Sequence, residues 1–276
     1  MEKKKRKLLI YACVFFALAA FAVSPIFPYA LSLSVMSVYS PICAKDSLME
    51  EENIKIKIQS GKDWFPLVMT YTADGAFSSY LNIPDSKLTI LYNFPAFDLT
   101  RGCSRLFDES SPYYNSFYGA YLIQRGDGLP YGFSSETQEL DNDAVSLVAG
   151  FDFFSLVLDD FGLTQDKRVF NYSLTSKEND VPFAGSEHWT CICSNITVNG
   201  VNHERSDFVN SYLQYGLPKF PVSSDFAPVA MKSIVYAKCF PEKNVSVFFY
   251  VMSPSEKVCS ECIYNVLSKS TLTEAS

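Results

Sequence analysis

MKSIVYAKCF (Met231–Phe240), PEKN (Pro241–Asn244), VSVFFYVM (Val245–Met252) and SPSEKVCSECIYNVLSK (Ser253–Lys269) follow one another without a gap. The first and third segments are rich in Val, Ile, Tyr and Phe and read as strands, and the four residues between them suit a hairpin connection. Ser253, Pro254 and Glu256 fit a helix start: Ser accepts a free N–H at the cap, Pro tolerates the first helical position, and Glu follows at the third. The predicted helix runs to about Lys269 and gathers Val258, Cys259, Cys262, Ile263, Val266 and Leu267 into one apolar stripe. A hairpin followed by a helix with one apolar face predicts an antiparallel sheet with the helix lying on it.

Working back along the chain, Asn53-Ile54-Lys55-Ile56-Lys57-Ile58 alternates strictly and reads as a half-buried strand opening the folded body. Further strands are expected at Trp64–Tyr71, Leu88–Asn93, Phe117–Gln124, Arg168–Leu174 and His188–Thr197. Apolar residues at Val145, Val148, Phe151, Phe154, Leu158 and Phe161 predict a helix from Asp143 to Phe161, capped by Asp143 and ended at Gly162. A shorter helix is expected from Asp207 to Tyr215, closing at Gly216. The fold class that follows is α+β, a mainly antiparallel sheet with helices packed on one face, preceded by an N-terminal transmembrane or signal segment.

That segment is an address. Lys3, Lys4, Lys5, Arg6 and Lys7 precede a run from Leu8 to Ala44 with no Asp, Glu, Lys, Arg or His. Residues 1–7 read as a basic cytoplasmic region and 8–24 as a signal-anchor or signal peptide. Residues 25–52 read as an apolar, Ser- and Pro-bearing stalk with an acidic linker, and 53–276 as the extracytoplasmic domain. Positive charge before the apolar run favours a cytoplasmic N-terminus and an external body. Ala20-Phe21-Ala22 fits a signal cleavage site, which gives a secreted alternative; continuation of the apolar sequence past it favours retention. The membrane, reached through the N-terminal helix, is thus one expected partner, and a protein or small ligand outside the cytoplasm the other.

Composition narrows function without naming it. The 276 residues are 48% hydrophobic and 19% charged, as in globular chains. Beyond the basic cluster the chain carries 18 basic and 29 acidic residues. So acidic a body repels phosphate backbones, and nucleic acid is not an expected partner. No cofactor is implied.

Eight cysteines carry the most chemistry. In an exported domain Cys103, Cys191, Cys193, Cys239, Cys259 and Cys262 are candidates for structural disulfides, with Cys43 left over and Cys13 inside the apolar run. The sequence leaves their connectivity open among 15 pairings. His188, Cys191, Cys193 and His203 supply zinc-compatible donors, although on a strand His188 faces away from Cys191 and Cys193. Cys259-Ser260-Glu261-Cys262, reached from an apolar strand, resembles the active-site segment of thioredoxin-like proteins over the strand and the helix start. That resemblance implies a thiol-disulfide oxidoreductase with Cys259 and Cys262 as its redox pair. The apolar stripe instead implies a buried structural pair, and with no complete catalytic set a membrane-anchored binding or structural module is the leading expectation.

Three glycosylation sequons complete the inventory: Asn171-Tyr172-Ser173, Asn195-Ile196-Thr197 and Asn244-Val245-Ser246. Arg125-Gly126-Asp127-Gly128 holds an adhesion tripeptide within ordinary turn chemistry. Tyr113, Tyr114, Phe117, Tyr118 and Tyr121 either line a ligand surface or pack a sheet. Asp159-Asp160 and Glu50-Glu51-Glu52 read as solvated faces.

Overall fold

The computed structural model describes residues 2–24, 26–27, 30, 34, 48–51, 53–58, 64–72, 75, 78–79, 83, 85–95, 97–98, 103–107, 110–152, 165–200 and 227–274. In chain order the elements are α1 (Glu2–Ala22), β1 (Leu48–Glu51), β2 (Ile54–Lys57), β3 (Trp64–Thr72), β4 (Lys87–Pro95), β5 (Phe97–Asp98), β6 (Cys103–Ser104) and β7 (Phe117–Gln124). They continue with α2 (Asn142–Asp152), β8 (Phe170–Phe183), β9 (Ser186–Asn199), β10 (Pro228–Phe240), β11 (Val245–Ser253), α3 (Glu256–Asn265) and β12 (Thr271–Glu274). The expected helix at Asp207–Tyr215 and the expected continuation of α2 toward Phe161 lie outside the described residues.

Seven strands form one antiparallel sheet in the order β3-β4-β7-β11-β10-β9-β8. β11 sits at its centre and is buried along its whole length, as an apolar strand covered on both faces must be. Its alternate residues define two layers. Val247, Phe249 and Val251 join Tyr118, Ala120, Leu122 and Trp189 in a core shared with Val258, Cys259, Cys262, Val266 and Leu267 of the C-terminal segment. Ile54, Ile56 and Ile58 enter the same core from β2, so the alternation in the sequence appears as three isoleucines at 1% exposure or less.

The opposite face carries Phe248 and Tyr250, with Tyr121 stacked on Tyr250 at 4.6 Å between ring centroids. Tyr131 meets Phe248 edge-on, and its hydroxyl donates to the Ala144 carbonyl of α2 at 3.1 Å. The helices α2 and α3 therefore lie on opposite faces of the sheet, which corrects the expectation of helices on one face. The sequence shows that each helix has an apolar stripe; which side of a sheet receives it depends on loop direction. The aromatic cluster of Tyr113, Phe117, Tyr118 and Tyr121 is core, each residue being buried.

Four further departures have local causes. The cap of α3 is Ser255, whose hydroxyl accepts from the Val258 N–H, while Ser253 is buried and bonds Ser116 at 2.7 Å. Asp141, not Asp143, caps α2, accepting the Asp143 N–H at 2.9 Å. The strands read at 168–174 and 188–197 are the ends of one long hairpin closed by Ala184 and Gly185, both at positive φ. The stretch of β8 from Thr175 to Asp180 is polar and carries no strand signal, yet an edge strand that leaves the core exposes both faces and needs no apolar residues. Finally, β12 pairs with β2 in a small sheet of order β1-β2-β12, placing Leu272 opposite Ile56.

At the N-terminus the helix begins at Glu2, so the basic cluster forms its first turns and the apolar part, Leu8–Ala22, is about 22 Å long. A bilayer core is about 30 Å thick. Among the described residues no helix is long and apolar enough to cross a membrane. The expected span from Leu8 to Ser24 is thus seen only as a helix.

Candidate functional site

Sheet register brings together residues that the sequence keeps far apart. Ser176, Cys193 and Ile234 lie side by side across β8, β9 and β10, and Glu178, Cys191 and Tyr236 form the next row but one. All six point to the α3 side, where Ser260, Ile263, Tyr264 and Ser268 complete a cleft of about 410 Å³. Phe183 stacks on Tyr236 at 3.8 Å between centroids and fixes the ring that forms one wall.

Two groups of this cleft, Cys191 and Tyr236, hold their protons tightly. Burial pushes the Cys191 thiol up to about 12, with neighbouring Cys193 and Glu178 adding to the shift and a hydrogen bond to Tyr236 opposing it. Burial likewise raises the Tyr236 phenol, reinforced by Cys191. At neutral pH the cleft therefore presents a neutral thiol and a neutral phenol, hydrogen-bonded to each other, beside the exposed Glu178. The Cys191 thiol and the Tyr236 phenol are thus placed to hydrogen-bond and pack.

Behind the cleft lie Cys259 and Cys262, each 0% exposed. The Cys259 thiol donates to the Lys232 carbonyl at 3.7 Å. Burial, with Glu256 and Cys193 adding, pushes its thiol up to about 12, and burial raises Cys262 well above the ordinary thiol range. Cys259 is the fourth residue of α3 and its N–H makes the helix's bond to Ser255 O, so no free N–H remains there to stabilise a thiolate.

The other cysteines are dispersed. Cys239 is half-buried on β10 with its thiol raised to about 11, chiefly by burial. Cys103 falls in β6, and Cys43 outside the described residues. Among the described residues Cys13, Cys191, Cys193, Cys239, Cys259 and Cys262 carry free thiols. His188 stands on the long hairpin near its tip at positive φ, exposed, with its ring bonded to the Asp180 carboxylate. His203 lies outside the described residues. Among the described residues no group of three or more His, Cys, Asp or Glu is placed to hold a metal ion.

A larger cleft, about 650 Å³, opens beside the loop from Arg125 to Asp143. Two of its charged groups, Arg125 and Asp141, already have structural work. Arg125 grips the Asp127 carboxylate, holding it below the ordinary carboxylate range chiefly by that hydrogen bond, and Asp141 caps α2. The same Arg125–Asp127 pair ties the two charged ends of the adhesion tripeptide to each other.

Glu178, Tyr236 and Ser176 were not legible as site residues, because nothing in their local sequence distinguishes them. Only the cross-strand register of Cys191 and Cys193 identifies them. Compared with known proteins, the chain matches no family model, no curated protein and no solved structure.

Proposed function

We propose that the protein is a membrane-anchored extracytoplasmic binding module: α1 seats in the lipid, its basic end stays in the cytoplasm, and the body presents the thiol-walled cleft outside. The observation that carries this reading is the exposure of α1 around its whole circumference. Leu8, Leu9, Ile10 and Tyr11 are consecutive and so point in every direction, yet each is more than half exposed, as are Val14, Phe15, Phe16 and Leu18. A helix apolar on all sides needs an apolar environment, and among the described residues none covers it. The basic residues that form its first turns favour the cytoplasmic side. In the sequence the uncharged run continues beyond the helix to Ala44. In the cleft, an apolar wall with a thiol, a phenol and serine hydroxyls suits a small ligand held by hydrogen bonds and packing.

The experiment is fractionation of cells making the full chain, with an alkaline carbonate wash and protease added to intact cells. The expected result is a body retained in the washed membrane fraction and digested from outside. A body in the soluble cytosolic fraction refutes the proposal. A body released to the medium without residues 1–22 replaces the anchor with a cleaved signal.

A further inference from the structure

The three sequons fall into two structural classes. Asn171-Tyr172-Ser173 on β8 and Asn195-Ile196-Thr197 on β9 pair residue for residue: Asn171 faces Thr197, Tyr172 faces Ile196 and Ser173 faces Asn195. The middle residues point to the far side of the sheet, where Ile196 is 1% exposed. Both asparagines point to the near side and are exposed. On that side neighbouring Ala230 of β10 is also exposed. Asn195 Nδ2 donates to Thr175 Oγ1 at 3.2 Å, and Asn195 Oδ1 accepts from Lys232 Nζ at 2.6 Å. An N-linked sugar leaves one amide hydrogen and the carbonyl oxygen in place, so both bonds survive modification.

Asn244 differs in every respect. It sits in the turn between β10 and β11 at φ 55°, its Nδ2 donates to Arg125 O at 2.6 Å, and its Oδ1 is buried. The hydroxyl of its sequon, Ser246, is 0% exposed and donates to Tyr131 O at 2.7 Å. Asn244 is only half exposed and its sequon hydroxyl is enclosed, so the folded turn presents this sequon less openly than the other two.

We propose that Asn171 and Asn195 form a paired N-glycosylation site on the exposed end of the sheet's α3 face and that Asn244 stays unmodified; this rests on the extracytoplasmic reading of the body. The donor is a lipid-linked oligosaccharide diphosphate. The asparagine amide nitrogen bonds to the anomeric carbon of the sugar, the bond from that carbon to the diphosphate oxygen breaks, polyprenyl diphosphate leaves, and one amide proton passes to a base on the transferase. No electrons are exchanged with a redox partner. Glycans at diagonal positions on neighbouring strands, about 7–8 Å apart, would blanket the outer strand β8 and block its free edge from pairing with another chain.

The test expresses the full chain, carrying an additional reporter sequon after Ser276, in a host that performs N-glycosylation. Glycosidase treatment in heavy-oxygen water labels each site that carried a sugar. The expected result is label on the reporter, Asn171 and Asn195 and none on Asn244. The single variants Ser173→Ala and Thr197→Ala, which leave the asparagines unchanged, should each remove one glycan. A labelled reporter with either Asn171 or Asn195 bare, or label on Asn244, overturns the proposal alone. An unlabelled reporter overturns the extracytoplasmic reading and this proposal with it.

Discussion

The buried pair on α3 makes a demanding prediction about reactivity. An ordinary thiol at 9.0 is about one-tenth ionised at pH 8, whereas Cys259, pushed up to about 12, is ionised about one part in ten thousand. Because the thiolate is the nucleophile, alkylation of Cys259 in the folded, reduced protein should be about a thousandfold slower than in denaturant, before any penalty for access is counted. Complete burial adds that penalty, so its rate should follow opening of the helix from the sheet. Cys191 is raised as far but faces the cleft, and it should react faster than Cys259 by the access factor alone. Pulsed alkylation with an iodoacetamide, read site by site by mass spectrometry, measures all of these rates. The same shift has a consequence for stability. A thiol raised in the fold binds its proton more tightly there than in the unfolded chain. Its contribution is therefore intact below about pH 9 and is lost as pH rises toward about 12, the folding constant dropping about tenfold per pH unit. Cys259 or Cys262 reacting in the native protein as fast as in denaturant, or a substrate disulfide reduced by this pair, would refute the reasoning.

Four other perturbations test the architecture, each by urea denaturation followed by circular dichroism. Ser255→Ala removes the acceptor for the Val258 N–H and should cost about 1 kcal/mol, while Ser253→Ala should cost about 1–3 kcal/mol through the buried Ser116 hydroxyl it deserts. In a double-mutant cycle the Ser116→Ala, Ser253→Ala pair should cost less than the sum of the singles by about 1 kcal/mol; strict additivity would mean that their 2.7 Å contact carries no energy. Gly132→Ala should destabilise by about 1–3 kcal/mol, since Gly132 has φ +74° and a Cβ there would sit 3.0 Å from that of Ala144; an unchanged midpoint would contradict the packing of α2.

Legibility in the sequence followed the range of the physics involved. The hairpin of β10 and β11, the helix after it and the alternating strand at Ile54–Lys57 were readable because periodicity and turn residues act within a few positions. The two caps were each misplaced by two residues, since Ser253 and Asp143 carry the right chemistry and only backbone direction decides which neighbour is used. β12 was missed because Thr-Leu-Thr-Glu offers one apolar residue, and its identity as a strand comes from β2, far away in the chain. The candidate cleft was half visible. Cys191 and Cys193 stood out as thiols two apart on a strand, but the partners that set their chemistry, Tyr236 and Glu178, arrive by register alone. For Cys259 and Cys262 the local resemblance and the apolar stripe pointed in different directions, and the structure places both thiols under the stripe.

The small sheet β1-β2-β12 has a mechanical consequence. If the chain is pulled at Leu48 against the body, the load falls first on the pairing of β1 with β2. Leu48 pairs with Lys57 at the open end of that hairpin, so tension peels the pairs one at a time down to Glu51 and Ile54. Peeling breaks ladder bonds singly and yields at low force. The next element in line resists differently: β2 is bonded to β12 along its length and anchored by isoleucines that the main core encloses. Under such a pull β1 would yield before the seven-stranded sheet and its cleft.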